Sequence, residues 1–134
     1  MGYTHYWRGS NIDKTKLAAA IDDMALVGAK VNHYPAGPDG SGDAEFSFDP
    51  KGVYFNGIGE DSYEAFCIDS NWSGEFGFCK TAHKPYDEAV TACLCLLKHN
   101  LGDSVNIRSD GTVEEWEDGL HLAQLIQPSC KCPL

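Results

Sequence analysis

Basic residues are scarce in this chain of 134 residues, and the scarcity argues against one broad class of function. Ten Lys and Arg side chains stand against twenty Asp and Glu, which gives a formal net charge of -10. Proteins that hold nucleic-acid backbones do so with clustered Lys and Arg side chains. The composition therefore disfavours direct binding of nucleic acid and leaves a basic or a nucleotide-sized partner possible.

Long apolar runs are missing as well. No stretch approaches the roughly 20 apolar residues that a membrane-spanning helix needs. Residues 1–8 also lack the basic start and the apolar stretch of a signal peptide. We therefore expect a cytoplasmic protein that has no membrane partner.

The six cysteines are expected to be free thiols, because disulfides are rare in the cytoplasm. Cys67, Cys79 and Cys93 fall in apolar stretches, where thiols behave as small core residues. Cys130 and Cys132 lie in a Pro-rich end and are expected to be the accessible pair. A zinc ion there would need ligands from elsewhere, so we expect neither a metal nor another cofactor.

The apolar patterns predict an α+β fold in a single domain, with the order β-α-ββββ-α-β-α. We expect an antiparallel sheet of about five to six strands with three helices packed on one face. The second helix has the clearest apolar stripe, from Ala89 to Leu101. Residues 33–43 are rich in Gly and Pro and are expected to form a loop. The domain is expected to span residues 1–127, with residues 128–134 as a C-terminal tail.

The segment from Phe78 to Asp87 is the most distinctive part of the sequence, because it places cationic side chains just before the second helix. Helix N-termini favour anions through their free N–H groups and the helix dipole. Asp87 and Glu88 can satisfy that terminus themselves, which is the structural alternative. The predicted ligand contacts combine cations, a hydroxyl and two stacking rings: Trp7, Arg8, Lys80, Thr81, Lys84 and Tyr86.

Three motifs resemble those of a family of small, uncharacterised bacteriophage proteins. They are the Met1 to Trp7 opening, the Phe78 to Asp87 segment and the turn at Ser109-Asp110-Gly111. The resemblance implies a phage origin and no particular activity. Together with the cytoplasmic location expected above, a phage origin makes the host cytoplasm the expected place of action. Because small phage proteins often bind and neutralise host defences, it also favours a counter-defence role.

The leading hypothesis is a non-enzymatic binding protein that sequesters a phosphate-bearing nucleotide. One alternative is an acidic inhibitor that occupies the nucleic-acid-binding surface of a host protein. Its predicted contact residues are Asp110, Glu114, Glu115, Glu117 and Asp118. A second alternative is a small cysteine hydrolase, in which Cys79 beside His83 or Cys95 beside His99 would be the nucleophile.

Overall fold

A computed structural model describes residues 3–30, 47–49 and 51–134. The loop expected over residues 33–43 lies outside this range. In the described part the chain contains the following helices and strands: β1 (Thr4–Gly9), α1 (Lys14–Lys30), β2 (Ser47–Asp49), β3 (Gly52–Phe55), β4 (Phe66–Asp69), β5 (Gly77–Lys80), α2 (Asp87–Leu101), β6 (Val105–Ser109) and α3 (Glu117–Gln124). The predicted α+β class and the predicted element order are confirmed.

The described strands divide between two antiparallel sheets instead of forming the single sheet expected. One sheet has the order β5-β1-β6, and the other has the order β2-β3-β4. Strands β2 to β4 pair with their neighbours in sequence, whereas β1 pairs with two strands from much later in the chain. Apolar alternation identifies a strand but carries no information about its partner, which is why the sequence did not reveal the split.

Helix α2 is the centre of the molecule, because both other helices pack against it. The predicted stripe is confirmed: Leu94 and Leu97 are fully buried. Helix α3 crosses α2 closely at Gly119, where a Cβ atom would overlap the Oγ1 atom of Thr91. Only glycine permits that approach, so the crossing depends on this residue.

The spacing of Thr112 and Glu115 in the sequence predicts an N-terminal capping box, and the segment before α3 has one. The backbone N–H of Thr112 donates to Oε1 of Glu115 at 3.0 Å, and the N–H of Glu115 donates to Oγ1 of Thr112 at 3.3 Å. The helix begins with a 3-10 turn at Glu114–Trp116 and continues as α3. Reciprocal bonds of this kind satisfy N–H groups that a helix start leaves unpaired.

Two of the cysteine expectations are wrong. Cys130 is buried, and its Sγ lies 3.4 Å from the carbonyl oxygen of Cys95, so residues 128–134 pack against α2 at this point. Cys67 is exposed, because Phe66 and Ile68 take the inward positions on β4 and alternation turns Cys67 outward. Cys79 and Cys93 are buried as expected, and Cys132 is partly buried.

Candidate functional site

Strand β1 is the middle strand of the β5-β1-β6 sheet, and its side chains alternate between the two faces of that sheet. His5 and Trp7 point into the core and are buried. Tyr6 and Arg8 point to the opposite, outer side, where Arg8 is exposed. The sheet therefore has two chemically different faces, and both contain residues that carry chemistry.

On the outer face the strand register surrounds Tyr6 with a ring and a guanidinium. Tyr6 pairs with Phe78 on β5 and with Arg108 on β6, while Arg8 pairs with Asn106. Residues that face each other across antiparallel strands have Cβ atoms about 5 Å apart, and diagonal neighbours are about 7–8 Å apart. Arg8 and Arg108 are such diagonal neighbours on either side of Tyr6.

We call this outer surface the arginine face. It consists of Tyr6, Arg8, Phe76, Phe78, Asn106 and Arg108. Except for Phe78, these residues line a cleft of about 460 Å³, whose lining also includes Trp7.

Phe76 and Phe78 are each 55% exposed, which is unusual for large apolar rings. The rings of Tyr6 and Phe76 are stacked, with centroids 6.2 Å apart, and those of Phe76 and Phe78 are 6.0 Å apart. The guanidinium carbon of Arg8 lies 5.8 Å from the centroid of Phe76. The face therefore offers a continuous aromatic surface with cations beside it.

Both arginines of the sequence lie on this face. Within the described residues, neither guanidinium forms an ion pair with a carboxylate. In a chain with a net charge of -10, two neighbouring cations without acidic partners form an isolated positive patch. Such a patch attracts anions, and planar guanidinium groups match carboxylate and phosphate in particular.

Trp7 supports the arginine face from below and is not the exposed stacking ring that we predicted. It is 3% exposed and reaches the cleft only at its floor. Its indole ring packs so closely under Gly77 that a Cβ atom at that position would overlap the ring. The glycine thus lets Trp7 fill the core directly beneath the gap between Phe76 and Phe78.

The N–H groups at the start of α2, on which the predicted phosphate cradle depends, already have partners in the protein. The backbone N–H groups of Asp87, Glu88 and Ala89 donate to the carbonyl oxygens of Lys84, Pro85 and Tyr86, at 2.9, 3.4 and 3.0 Å. A turn ahead of the helix therefore satisfies the donors that an anion would need.

Two predicted contacts at that cradle are also buried. The hydroxyl of Thr81 donates to Oδ1 of Asp87, and the hydroxyl of Tyr86 donates to the carbonyl oxygen of Glu64, both at 2.6 Å. Lys84 lies in the turn and is absent from the lining of the 460 Å³ cleft. Of the predicted cations, the structure brings Arg8 and Lys80 to the outer side of the sheet.

The core face of the same sheet contains a polar network around His5, which is fully buried. Its Nδ1 lies 2.8 Å from Oγ of Ser109, and its Nε2 lies 2.6 Å from Oδ1 of Asp87. Oγ of Ser109 also accepts the N–H of Gly111 at 2.8 Å and the indole N–H of Trp116 at 3.1 Å. Since a hydroxyl has two lone pairs and one proton, Ser109 donates its proton to His5 Nδ1. The Nε2 atom of His5 therefore carries a proton and donates it to Asp87.

This network has the residue types of a Ser-His-Asp hydrolase but not the chemistry. A nucleophilic serine needs a lone pair directed at the substrate, and both lone pairs of Ser109 accept bonds from protein donors. The network instead links β1 to β6, to the start of α2 and to the 3-10 turn before α3. It is a structural element that sequence reasoning missed, because its members are distant in the chain.

The hydroxyl of Tyr3 is the one buried side-chain polar atom of the described residues that has no hydrogen-bond partner. Burial is the main cause that raises its pKa. The ring of His83 stacks on the Tyr3 ring, with centroids 3.5 Å apart. Ala82 and His83 both have positive φ angles, of 53° and 60°, which is an unfavourable conformation for residues other than glycine. This turn covers the network at some conformational cost.

The structure does not support the cysteine nucleophiles. Burial raises the pKa of the Cys79 thiol, and a hydrogen bond with Cys130 together with burial raises that of Cys95. A thiolate is the reactive form of cysteine, so these environments oppose catalysis. His83 does not face Cys79, because its ring lies on Tyr3 and its Nε2 is 3.8 Å from a carboxylate oxygen of Glu115.

The five acidic residues of the alternative interface are all exposed: Asp110, Glu114, Glu115, Glu117 and Asp118. Two of them have local structural contacts. Asp110 accepts the backbone N–H of Thr4 at 3.1 Å, and Glu115 belongs to the capping box. Glu114, Glu117 and Asp118 are the members best placed for a partner.

No family model, curated protein or solved structure matches this chain. The resemblance to small phage proteins therefore stays a prediction. In the described part of the chain, no helix is long and apolar enough to cross a membrane. The same part contains no group of three or more His, Cys, Asp or Glu side chains that could hold a metal ion.

The residues of the arginine face that the predicted ligand contacts omit are Tyr6, Phe76, Phe78, Asn106 and Arg108. A signal was present in the alternation of β1 and in the Phe-Gly-Phe order at residues 76–78. The restriction of arginine to two strand positions was a second signal. What the sequence could not show is that β5 and β6 pair with β1 on opposite sides.

Proposed function

We propose that this protein binds a small phosphate-bearing nucleotide on the arginine face and does not transform it. The observation that carries the proposal is the position of both arginines, without acidic partners among the described residues, beside exposed aromatic rings. A nucleotide combines the two groups that such a surface recognises, namely a flat ring and an anion. The ligand site thus lies on the outer face of β5-β1-β6 and not at the start of α2.

The phosphate would lie between Arg8 and Arg108. These residues are diagonal neighbours about 7–8 Å apart at the backbone, so their long side chains can converge on one anion. Guanidinium groups bind phosphate through paired N–H donors, and such charge-assisted bonds are about twice as strong as neutral ones. An ammonium group would give less directional recognition.

The base would stack on Phe76 and Phe78, which already contact each other and Tyr6. Stacking of a base on an aromatic side chain contributes about 1–3 kcal/mol and tolerates any base. The aromatic rings therefore supply affinity, whereas the amide of Asn106 is the group in the cleft that can form hydrogen bonds with a base edge.

The overall charge favours a small ligand over a nucleic acid. Exposed charges interact over a Debye length of about 8 Å at physiological salt, so a nucleotide on this face feels mainly the two arginines. A longer polyanion would extend beyond the two arginines over a chain that has twice as many acidic as basic residues. We therefore place the ligand among nucleotides and not among long RNA or DNA strands.

Calorimetric titration with the four nucleoside monophosphates, with adenosine and with inorganic phosphate tests the proposal. At least one nucleotide should bind, and adenosine and phosphate alone should bind more weakly, because each uses only part of the site. Arg108→Gln should weaken binding about tenfold or more, as expected for the loss of a charge-assisted bond. Lys16→Gln, which removes an exposed cation from α1, is the matched control and should change nothing.

Absence of binding for the whole panel would contradict the proposal. So would binding that is equally strong in Arg108→Gln and the parent. Charge reversal at Glu114 and Glu117 should leave nucleotide binding intact. If that reversal instead abolished the biological activity while Arg108→Gln preserved it, the acidic inhibitor would be the better explanation.

The phage motifs suggest a biological role for such binding. A protein that sequesters a nucleotide without turning it over lowers the free concentration of that nucleotide in the infected host, which would silence a defence that uses it as a signal. Phage replication in a host that expresses Arg108→Gln in place of the parent tests this role. Equal protection by the two proteins would count against it.

A further inference from the structure

A pair of buried thiols connects the segment after α3 to the central helix α2. Sγ of Cys130 lies 3.4 Å from the carbonyl oxygen of Cys95, and the two side chains also form a hydrogen bond with each other. The residues are 35 positions apart in the chain, so the packing of the fold brings them together. A disulfide needs an S–S distance of about 2.0 Å, which thiols in hydrogen-bond contact reach by a small rotation of their side chains.

Backbone and side-chain hydrogen bonds fix the position of Cys130. Its N–H donates to the carbonyl oxygen of Gln127 at 2.9 Å, and its carbonyl oxygen accepts from Nε2 of Gln124 at 3.0 Å. Gln124 is the last residue of α3, so the end of that helix and Cys130 are held together. Two reactive groups held in contact react with each other much faster than with groups elsewhere.

The other cysteines near Cys95 are less suitable partners for it. Cys93 lies two residues earlier on α2, and residues at that spacing do not face each other on a helix. Cys132 is only partly buried, and among the hydrogen bonds of the described residues none joins it to Cys95. The geometry therefore selects Cys130.

The segment around Cys130 can open without disturbing the core. Ser129 and Lys131, its neighbours on either side, are exposed. The described chain forms no further helix or strand after α3. Segments with few buried contacts open locally at a much lower free-energy cost than global unfolding. A dissolved reagent can therefore reach Cys130 while Cys95 stays in place on α2.

Cys130 is also the better nucleophile of the pair. The hydrogen bond with Cys95 is the main cause that lowers the pKa of the Cys130 thiol, although burial opposes it. The same bond raises the pKa of Cys95, so Cys95 keeps its proton until Cys130 has reacted. The thiolate is the form that attacks a disulfide.

From this arrangement we infer that Cys95 and Cys130 are a redox-sensitive pair, which forms a disulfide when the folded protein meets a low-molecular-weight disulfide such as oxidised glutathione. The Cys130 thiolate attacks one sulfur of the oxidant, and the first glutathione leaves as a thiolate. Cys95 then loses its proton and attacks the Cys130 sulfur, which releases the second glutathione. The protein loses two electrons and two protons, and one oxidised glutathione becomes two molecules of the reduced form. Under reducing conditions both residues remain thiols.

The bridge would tie the segment after α3 to α2 and close a long loop of the chain. Cross-links of this kind stabilise a protein mainly by restricting its unfolded state. The inference does not involve the arginine face, so it stands or falls independently of nucleotide binding.

The test uses Cys67→Ser as the parent protein, because Cys67 is exposed and would itself react with glutathione. The folded protein is incubated with oxidised glutathione, its remaining thiols are alkylated, and it is digested with trypsin without reduction. Trypsin cleaves after Lys and Arg, so peptide 81–98 contains Cys95, peptide 109–131 contains Cys130, and Cys132 lies in a separate peptide. Mass spectrometry should find one bridge, between peptides 81–98 and 109–131, and dithiothreitol should remove it.

Substitutions in the same parent identify the two sulfur atoms. Cys95→Ala and Cys130→Ala should each abolish the bridge, whereas the matched controls Cys93→Ala and Cys132→Ala should keep it. The bridge should raise the midpoint of urea unfolding by roughly 1 M or more, and the oxidant should leave the midpoint of Cys95→Ala unchanged. Circular dichroism spectra equal to that of the parent would show that the variants are folded.

Three results would overturn the inference. A bridge that persists in Cys95→Ala or Cys130→Ala would show that other thiols are the oxidised pair. Glutathione adducts without an internal bridge would show that the second thiol cannot reach the first. A bridge that forms only in urea would show that the folded protein does not hold the two thiols together.

Discussion

Replacement of Ser109 by Ala should destabilise the protein by about 2–6 kcal/mol, much more than a serine on a strand normally costs. The hydroxyl has three partners, and its loss leaves two buried groups unpaired, namely Nδ1 of His5 and the indole N–H of Trp116. An unpaired buried polar group costs about 1–3 kcal/mol. The third partner, the N–H of Gly111, lies in a half-buried turn where water can replace the hydroxyl, so we leave it out of the sum.

Urea unfolding followed by circular dichroism measures this loss. With a slope of about 1–3 kcal/mol per molar urea for a small protein, the midpoint should fall by roughly 1–3 M. Ser129→Ala removes an exposed hydroxyl near the C-terminus and should stay within about 0.5 kcal/mol of the parent. A loss under about 0.5 kcal/mol for Ser109→Ala would refute the network as a stabilising element.

Nitrogen NMR of the His5 side chain checks the proton assignment independently of stability. The hydrogen-bond pattern requires a neutral ring with its proton on Nε2 and an unprotonated Nδ1, because Ser109 donates to Nδ1. The nitrogen chemical shifts of the two tautomers differ, so one spectrum of the folded protein shows which tautomer is present. A proton on Nδ1 would mean that Ser109 accepts a hydrogen bond from His5. In that case Gly111 and Trp116 could not both donate to the lone pairs of Ser109, and our assignment would be wrong.

Three further predictions concern other parts of the fold. Ala82→Gly should stabilise the protein by about 0.5–1 kcal/mol in urea unfolding, because it relieves a positive φ angle. As a control, Ala19→Gly within α1 should destabilise the protein by about 1 kcal/mol. If both substitutions destabilised the protein, the strain argument would be contradicted. Leu94→Ala should cost about 2–5 kcal/mol, and a loss below about 0.5 kcal/mol would place that side chain outside the core. Cys67 should be the first thiol to react with a disulfide reagent under native conditions, because it is exposed. Its reaction rate should keep rising as the pH passes the ordinary thiol pKa, since burial and, next, the charge of Asp69 raise the pKa of Cys67. Faster labelling at any other cysteine would contradict the burial pattern.

The parts of the fold that sequence predicted are those set by neighbouring residues. The stripe of α2 and the capping box at Thr112 depend on side chains within a few positions of one another. Apolar periodicity and capping motifs involve residues that are close together in the chain, so a single sequence is enough to predict them. The division into two sheets could not be predicted from the sequence, because it depends on which distant strands pair with β1.

The candidate site was predicted only in part, for a similar reason. Arg8 and Lys80 were identified from their charge, and both lie on the outer side of the β5-β1-β6 sheet. Thr81 and Tyr86 were assigned to a helix terminus whose N–H groups the preceding turn already satisfies. A sequence shows that such donors exist, but not that backbone carbonyls occupy them. Arg108 was missed because only the register with Tyr6 brings it to the site.

Strand β1 separates stability from binding by the alternation of its side chains. On the core side, every polar atom of the His5 ring has a partner, so this side contributes to folding and offers nothing to a ligand. On the outer side, Arg108 is exposed with no ion pair among the described residues, and Phe78 leaves more than half of its surface in water. Exposed rings and uncompensated cations contribute little to the stability of a folded chain. The proposed ligand would cover these rings and neutralise these cations on the one face of the sheet where both lie.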